Sequence, residues 1–231
     1  MNLSGKNLVL MKFFSTAEYK QKFLDGQVFC NTPAYYRKSD KEGVGDRCES
    51  AIYSYYNGYE PKDGMKFEMG LGKKIGENKL SIKNLNAFIF RKSGEIDSWL
   101  NCWYALEIIT TSPDATTNSL ERMLREFGDN AILLTLDNWD EFLQRIKTYS
   151  EKEVEYCLVK YTDNPTKISK SCKLERYSYQ KEFRFLFGEC DFQCTEPYSF
   201  FVPGGFRDLF KDGFWLDLHG YTENQWPKYF K

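Results

Sequence analysis

Tyr177-Ser-Tyr-Gln180-Lys-Glu182-Phe-Arg184-Phe-Leu-Phe187 is the stretch whose reading decides the fold. Phe183, Phe185 and Phe187 alternate with Glu182, Arg184 and Leu186, the period-two pattern of a β-strand. Three phenylalanines on one face demand burial, so the stretch reads as a core strand entered through a polar loop. Gln180, Glu182 and Arg184 then share the opposite face. A carboxylate flanked by an amide and a guanidinium is either a chemical site or a structural ion pair, since a buried carboxylate needs partners and breaking such a pair costs about 3–5 kcal/mol. Both readings stand open.

Upstream of that strand lies a compact opening unit. The run from Leu8 to Phe14 is strongly apolar, broken only by Lys12, and predicts a first strand. Ser15-Thr-Ala-Glu18 has the spacing of a capping box, in which hydroxyl and carboxylate satisfy each other's free amides. It predicts a helix to Leu24, with Tyr19 and Phe23 one turn apart and Gly26 closing it. Residues 27–31 return as a strand. Thr32-Pro33 opens a polar loop holding Tyr35-Tyr36-Arg37-Lys38 and then Gly43-Val-Gly45-Asp46-Arg47-Cys48-Glu49. Two glycines before an acid predict a tight turn, either an Asx-type turn in its own right or one that aims Asp46 and Glu49 in a set direction.

Further strands are expected at 51–56, 65–71, 80–83, 131–136, 154–161, 199–202 and 214–218, with 65–71 and 80–83 joined as a hairpin. The continuously apolar Ala87-Phe-Ile-Phe90 predicts a central strand. Ser98 to Leu106 reads as a short aromatic helix, Ser119 to Phe127 as a helix closed by Gly128, and residues 137–147 as a helix capped by Asp137. Residues 111–118 and 162–172 read as loops. Strands outnumber helices, and the helices are scattered between them. The fold class is therefore α+β, with mixed, largely antiparallel sheets and short helices. No linker or repeat divides the chain, and 231 residues at 42% hydrophobic content suit a single globular domain over residues 1–231.

Aromatics at 17% favour a sheet-rich fold. The net charge of −1 supplies no overall field towards nucleic acid or an anionic membrane. Charge is nevertheless uneven: eight Lys/Arg against three Asp/Glu at 62–92, and six against two at 165–184. These runs read as solvated surface, with an anion-binding face as the alternative. No secretory signal and no apolar stretch near ~18 residues is found, so no membrane partner is expected. Seven cysteines, an odd count, read as reduced thiols of a cytoplasm. Cys190-x3-Cys194 and the single His219 do not make a zinc site or a Ser/Cys-His nucleophile, and no metal is expected. Gly70-Leu-Gly72 has no helix start behind it and is not read as a phosphate cradle. A Mg²⁺-dependent nuclease would want Glu-x-Lys where Glu182-Phe-Arg184 stands; it is kept as a minor alternative.

Taken together, several landmarks resemble a widespread, largely uncharacterised family of bacterial and phage proteins. They are Lys12-Phe-Phe, Leu24-Asp-Gly26, Gly45-Asp46-x-x-Glu49, Trp103-Tyr104-Ala105, the strand at 131–136 and Tyr177-x-x-Gln180-x-Glu182-x-Arg184. That family is in turn similar to the ADP-ribosyltransferase superfamily, through Gln180-x-Glu182. The resemblance implies a small mixed β-fold gripping NAD in a cleft between two sheets. It implies that Glu182 stabilises the oxocarbenium-like transition state and that Gln180 positions the acceptor. Tyr177, or Tyr104 with Trp103, would stack on nicotinamide, and Arg184 would join them in binding NAD. The subgroup carries a first-strand Arg for phosphate where this chain has Lys12, and a Ser-Thr-Ser where this chain has the lone Ser54. Arg37, Arg47 or Arg91 would have to supply the phosphate contact.

The expected function is an NAD-consuming effector or toxin of phage–bacterium conflict, in the cytoplasm of a bacterial host cell. The alternative is a non-catalytic, phage-encoded inhibitor of the anti-CRISPR type. It would bind a bacterial nucleic-acid-guided complex through Tyr-rich loops at 35–60 and the basic run at 62–92. A macromolecular target is expected on either reading, with direct nucleic-acid contact through the Lys/Arg segments as one form of it.

Overall fold

The computed structural model describes residues 8–56, 87–91, 94–107 and 113–210. In chain order the elements are β1 (Leu8–Phe14), α1 (Ala17–Leu24), β2 (Gln27–Cys30), α2 (Pro33–Lys38), β3 (Tyr53–Tyr56) and β4 (Ala87–Phe90). They continue with β5 (Asp97–Glu107), α3 (Pro113–Phe127), β6 (Asn130–Leu134), α4 (Trp139–Tyr149), β7 (Val154–Leu158) and β8 (Lys160–Thr162). β9 (Cys172–Leu174), β10 (Glu182–Cys190) and β11 (Tyr198–Phe201) complete them. The fold is α+β. Its centre is a five-stranded sheet, order β6-β1-β5-β10-β7, in which every neighbour is antiparallel. Two-stranded ribbons β11-β2, β3-β4 and β8-β9 surround it.

The alternation read in the opening stretch holds from Glu182 onward and sorts the sheet's two faces. Phe183, Phe185 and Phe187 enter the main core with Leu10, Phe14, Trp103, Ile132 and Leu134. α1 contributes Phe23 and Leu24, and α4 contributes Trp139, Phe142 and Ile146. The rings interlock: Phe185 stacks on Trp139 at 5.7 Å and meets Phe142 edge-on at 5.8 Å. Such pairs add about 0.5–1.5 kcal/mol beyond area burial. On the other face Val9, Met11, Tyr104 and Leu106 pack under Leu120 and Met123 of α3. The same face carries Glu182 and Arg184 on β10, both buried.

Several expectations are corrected. The stretch from Ser98 to Leu106 is no helix but lies within β5, the middle strand, paired on one side with β1 and on the other with β10. Trp99 and Trp103 sit one helical turn apart, which mimics a helix, but their alternation with Leu100, Cys102 and Tyr104 serves a strand buried on both faces. Conversely, Ala87–Phe90 is not central: among the described residues it pairs only with β3, and Phe90 is exposed. A continuous apolar run specifies burial less strictly than it suggests. Thr32 caps α2 through its hydroxyl, which accepts from Tyr35 N at 3.2 Å, with Pro33 in the first turn where no amide is needed. The expected loop at 111–118 is helical from Pro113. The first cap is Thr16 rather than Ser15, and Glu18 pairs with Lys22 instead. Asp137 lies in a 3-10 turn (Leu136–Asn138) that leads into α4 without a side-chain cap. The strand expected at 154–161 breaks at Val159 into β7 and β8. The strands expected at 65–71, 80–83 and 214–218, their hairpin, and His219 lie outside the described residues. Among the described residues no helix is long and apolar enough to cross a membrane.

Candidate active site

Strand β10 does not begin where the alternation suggests. Residues Glu175–Gln180 form a 3-10 turn, and Lys181 ends it in a left-handed conformation at φ 38°. Gln180 is thus not on the strand, a correction to its expected place beside Glu182. It still meets Glu182 through a shared partner, Lys173 of β9. The Lys173 ammonium donates to Gln180 Oε1 at 2.9 Å and to Glu182 Oε2 at 3.2 Å. It also lies 3.4 Å from Glu49 and 3.9 Å from Asp46. Arg184 completes the cluster. Its two terminal nitrogens grip both Glu49 oxygens at 2.7 and 2.8 Å, its Nε donates to Glu182 Oε1 at 2.7 Å, and Nη1 also donates to the Lys170 carbonyl at 2.7 Å. Three carboxylates therefore surround two cations, all buried.

The glycine loop aims the acids. A Cβ at Gly45 would sit 2.2 Å from the Ser39 carbonyl, and Gly43 at φ 74° would place one 2.0 Å from Glu126 Oε2, so both approaches require glycine. Gln180 Nε2 donates to the Gly43 carbonyl at 2.8 Å, and the Tyr177 hydroxyl donates to the Gly45 carbonyl at 3.1 Å. Asp46 Oδ1 accepts from Cys48 N at 2.9 Å, which is an Asx-type turn. The two alternatives for this loop prove to be one arrangement: the Asx turn is formed, and it delivers Asp46 and Glu49 to Lys173 and Arg184.

Charge in the cluster is unevenly held. Burial works to raise the Glu182 carboxyl, but Arg184 and Lys173 outweigh it and hold it at about 2. Burial likewise works to lower Lys173, and Glu182 and Glu49 outweigh it, so its pKa is raised. Asp46 goes the other way. Burial pushes it up to about 6, with Lys173 opposing, and its Oδ2 has no hydrogen-bond partner. A carboxyl whose folded pKa exceeds its unfolded one binds protons more readily when folded. Its contribution to stability is complete below the unfolded value near 3.8 and is lost as pH rises through about 6. In Asp46→Asn this loss is removed. The stability of the variant relative to the native chain is expected to improve by up to about 3 kcal/mol between pH 4 and pH 7. Urea unfolding at a series of pH values measures it, and a constant difference across that range contradicts it.

A cavity of about 630 Å³ opens against this cluster. Its origin is topological. β1 pairs with β5 only as far as Met11↔Tyr104; beyond that, Lys12–Phe14 follow β6 while Leu100–Trp103 follow β10. The two strands diverge and leave a wedge. Glu49, Lys173, Gln180, Glu182 and Arg184 lie on its polar side, and Tyr19, Phe29 and Tyr35 line it with exposed rings. Lys12 also lines it, donating to Asn101 Oδ1 and the Cys102 carbonyl, each at 3.1 Å, with its ammonium 5.2 Å from the Trp103 ring centre. Burial pushes Lys12 down to about 8. Five cationic side chains and two carboxylates line the cavity, so it favours an anion.

Of the residues expected at a site, Glu182, Gln180 and Arg184 are brought together on the cavity wall. Trp103 and Tyr104 also line it but project to opposite faces of β5, Trp103 into the main core and Tyr104 towards Ser119, its hydroxyl 3.1 Å from Ser119 Oγ. Tyr177 lies behind the glycine loop, with the Lys173 ammonium 4.8 Å from its ring centre, and is not among the lining residues. Arg47 pairs with Asp40 at 2.9 Å, Arg37 with Asp97 at 3.4 Å, and Arg91 lies 4.0 Å from Asp97. None of the three lines the cavity, whereas Lys12 does. Sequence reasoning did not single out Lys173 or Phe29. Lys173 was hidden in a basic run read as surface, and its only signal was proximity to the Gln180-x-Glu182 pair. Among the described residues no three His, Cys, Asp or Glu side chains converge as a metal site. Comparison with family models, with curated proteins and with solved structures found no match.

Proposed function

We propose that the chain is an NAD-consuming enzyme of the ADP-ribosyltransferase-like type, with Glu182 as its catalytic carboxylate. The observation that carries this reading is the cavity itself: an anion-favouring wedge between diverging strands, rimmed by aromatic rings, with Glu182 on its wall. A dinucleotide has that chemistry, flat bases joined by sugars and a diphosphate. The volume lies within the range of about 300–1,000 Å³ common for small-molecule sites. In the reaction the bond between nicotinamide and ribose breaks, and its electron pair leaves on the pyridine nitrogen, neutralising it. Positive charge develops on the ribose. Glu182, held ionised and fixed by Arg184 and Lys173, stabilises that charge without having to reorganise. Tyr19, Phe29 and Tyr35 offer faces for the bases. Lys12 takes the phosphate contact that the resemblance assigns to a first-strand arginine. A role as effector or toxin in phage–bacterium conflict follows from the resemblance.

Lys12 gives a direct test. A charge-assisted phosphate contact contributes roughly 1.5–3 kcal/mol, which is roughly 10- to 100-fold in affinity. Lys12→Met is expected to weaken NAD binding by that factor in calorimetric titration. Native affinity is expected to fall as pH rises through about 8, where the ammonium loses its proton, and the variant to lose that dependence. Equal binding by both proteins contradicts the assignment. One observation favours the non-catalytic inhibitor as a second reading: Phe29 and Phe201, on the β11-β2 ribbon, stay 50% and 61% exposed. A stoichiometric complex with a nucleic-acid-guided defence assembly, formed without loss of NAD, would support it instead.

A further inference from the structure

Lys12 and Lys173 both line the cavity, and they are held in opposite ways. Lys173 lies between 3.2 and 3.9 Å from three carboxylates, which raise its pKa. Lys12, on β1, forms no ion pair among the described residues. Its nitrogen donates to two neutral acceptors of β5, Asn101 Oδ1 and the Cys102 carbonyl, each at 3.1 Å. Asn101 is itself fixed at both ends: it accepts from Trp103 Nε1 at 2.7 Å, and its Nδ2 donates to the Phe29 carbonyl at 2.8 Å. The ring centres of Trp103, Phe14 and Phe23 lie 5.2, 5.9 and 5.9 Å from the Lys12 nitrogen.

That environment suits an amine as well as an ammonium. A neutral amine has two hydrogens and one lone pair. The hydrogens match the two acceptors of β5, which leaves the lone pair for the cavity that Lys12 lines. The titratable groups facing Lys12 are Cys102 of β5, Cys30 of β2 and Glu182 of β10. Each favours the charged form, and burial outweighs them, so the pKa falls to about 8. At pH 7 roughly a tenth of Lys12 is then neutral, against about one part in 2,500 for an ordinary lysine. Desolvation in an apolar pocket is a recurrent way of making a lysine nucleophilic towards a carbonyl group.

We propose that Lys12 is a nucleophilic amine that captures an anionic aldehyde in this cavity as an imine. The inference does not rest on the NAD-consuming reading: there the ammonium form of Lys12 holds phosphate, and here its neutral form reacts. The amine selects the aldehyde. The five cationic side chains and two carboxylates of the lining select its negative charge. The nitrogen lone pair adds to the aldehyde carbon and forms the C–N bond. The carbonyl oxygen then leaves as water, taking both amine hydrogens, and a C=N bond remains. Nothing is oxidised or reduced. A protonated imine keeps one N–H, enough for the Cys102 carbonyl, while Asn101 Oδ1 keeps the Trp103 donor.

Pyridoxal 5′-phosphate, an aldehyde that carries a phosphate, serves as the probe. The full chain is treated with a limiting amount of it, reduced with borohydride, digested, and mapped by mass spectrometry at pH values on either side of 8. Label on Lys12 is expected to exceed that on any other lysine by roughly ten-fold or more, and to rise as pH passes through about 8. Pyridoxal without the phosphate is expected to label Lys12 roughly 10- to 100-fold less, because it forgoes a charge-assisted contact. Lys12→Arg keeps a cation but forms no imine under these conditions, and is expected to lose this label alone. The map of the native chain is decisive even where that variant is unstable. Label spread evenly over the lysines, or Lys12 unlabelled above pH 8, overturns the proposal, and equal labelling by pyridoxal and its phosphate overturns the anionic class.

Discussion

Arg184→Met is expected to lower the protein's stability by about 3–5 kcal/mol, the usual consequence of removing one partner from a buried charge cluster. That is a large part of the 5–15 kcal/mol of a typical folded domain. The cause lies in the count of charges. Arg184 is fully buried and satisfies both oxygens of Glu49, both of Glu182 and the Lys170 carbonyl. Methionine leaves Lys173 alone among three carboxylates. It also unties β10 from the glycine loop, because the bonds to Glu49 are the ones that cross between them. Denaturant unfolding followed by tryptophan fluorescence measures the loss. A variant within about 1 kcal/mol of the native chain, the scale of an exposed pair, would show that the cluster is not the internal lock described here.

Glu182→Gln is expected to do the opposite: leave the fold standing and remove the activity. The substitution keeps the shape and withdraws one negative charge from a cluster that has three acids and two bases. Asp46 and Glu49 then face Arg184 and Lys173, two acids against two bases. The stability change is therefore small beside that of Arg184→Met. Nicotinamide release, in contrast, loses the carboxylate assigned to meet charge on the ribose. Removing a preorganised electrostatic contact of this kind costs about 10²–10³ in kcat. The two substitutions touch the same ion pair and are expected to separate its structural half from its chemical half.

Much of this arrangement was legible in the residues. The period-two run from Glu182 to Phe187 gave the core strand, its buried face and its polar face, because alternation in a strand is a direct image of which side is wet. The glycines at 43 and 45 announced a turn that delivers Asp46 and Glu49, since only glycine tolerates those approaches. Other features were not legible, for physical reasons. Trp99 and Trp103 repeat at a spacing that suits a helix as well as a strand buried on both faces, so β5 is not distinguished from a helix by its residues. The cavity arises where β1 and β5 part after Met11↔Tyr104, a fact of pairing that no local pattern carries. Lys173 looked like one more surface lysine, because its role depends on three carboxylates contributed by distant segments. Lys12 was visible as the single interruption of an apolar strand, but its place on the wedge was not.

The central claim is that Glu182 cleaves the nicotinamide–ribose bond of NAD within this cavity. The most direct measurement is the initial rate of nicotinamide release by the purified chain and by Glu182→Gln, each first shown to be folded by its unfolding curve. The account predicts measurable turnover by the native chain and a loss of about 10²–10³ in the variant at nearly unchanged stability. Equal rates from two folded proteins, or no release by the native chain, would contradict it.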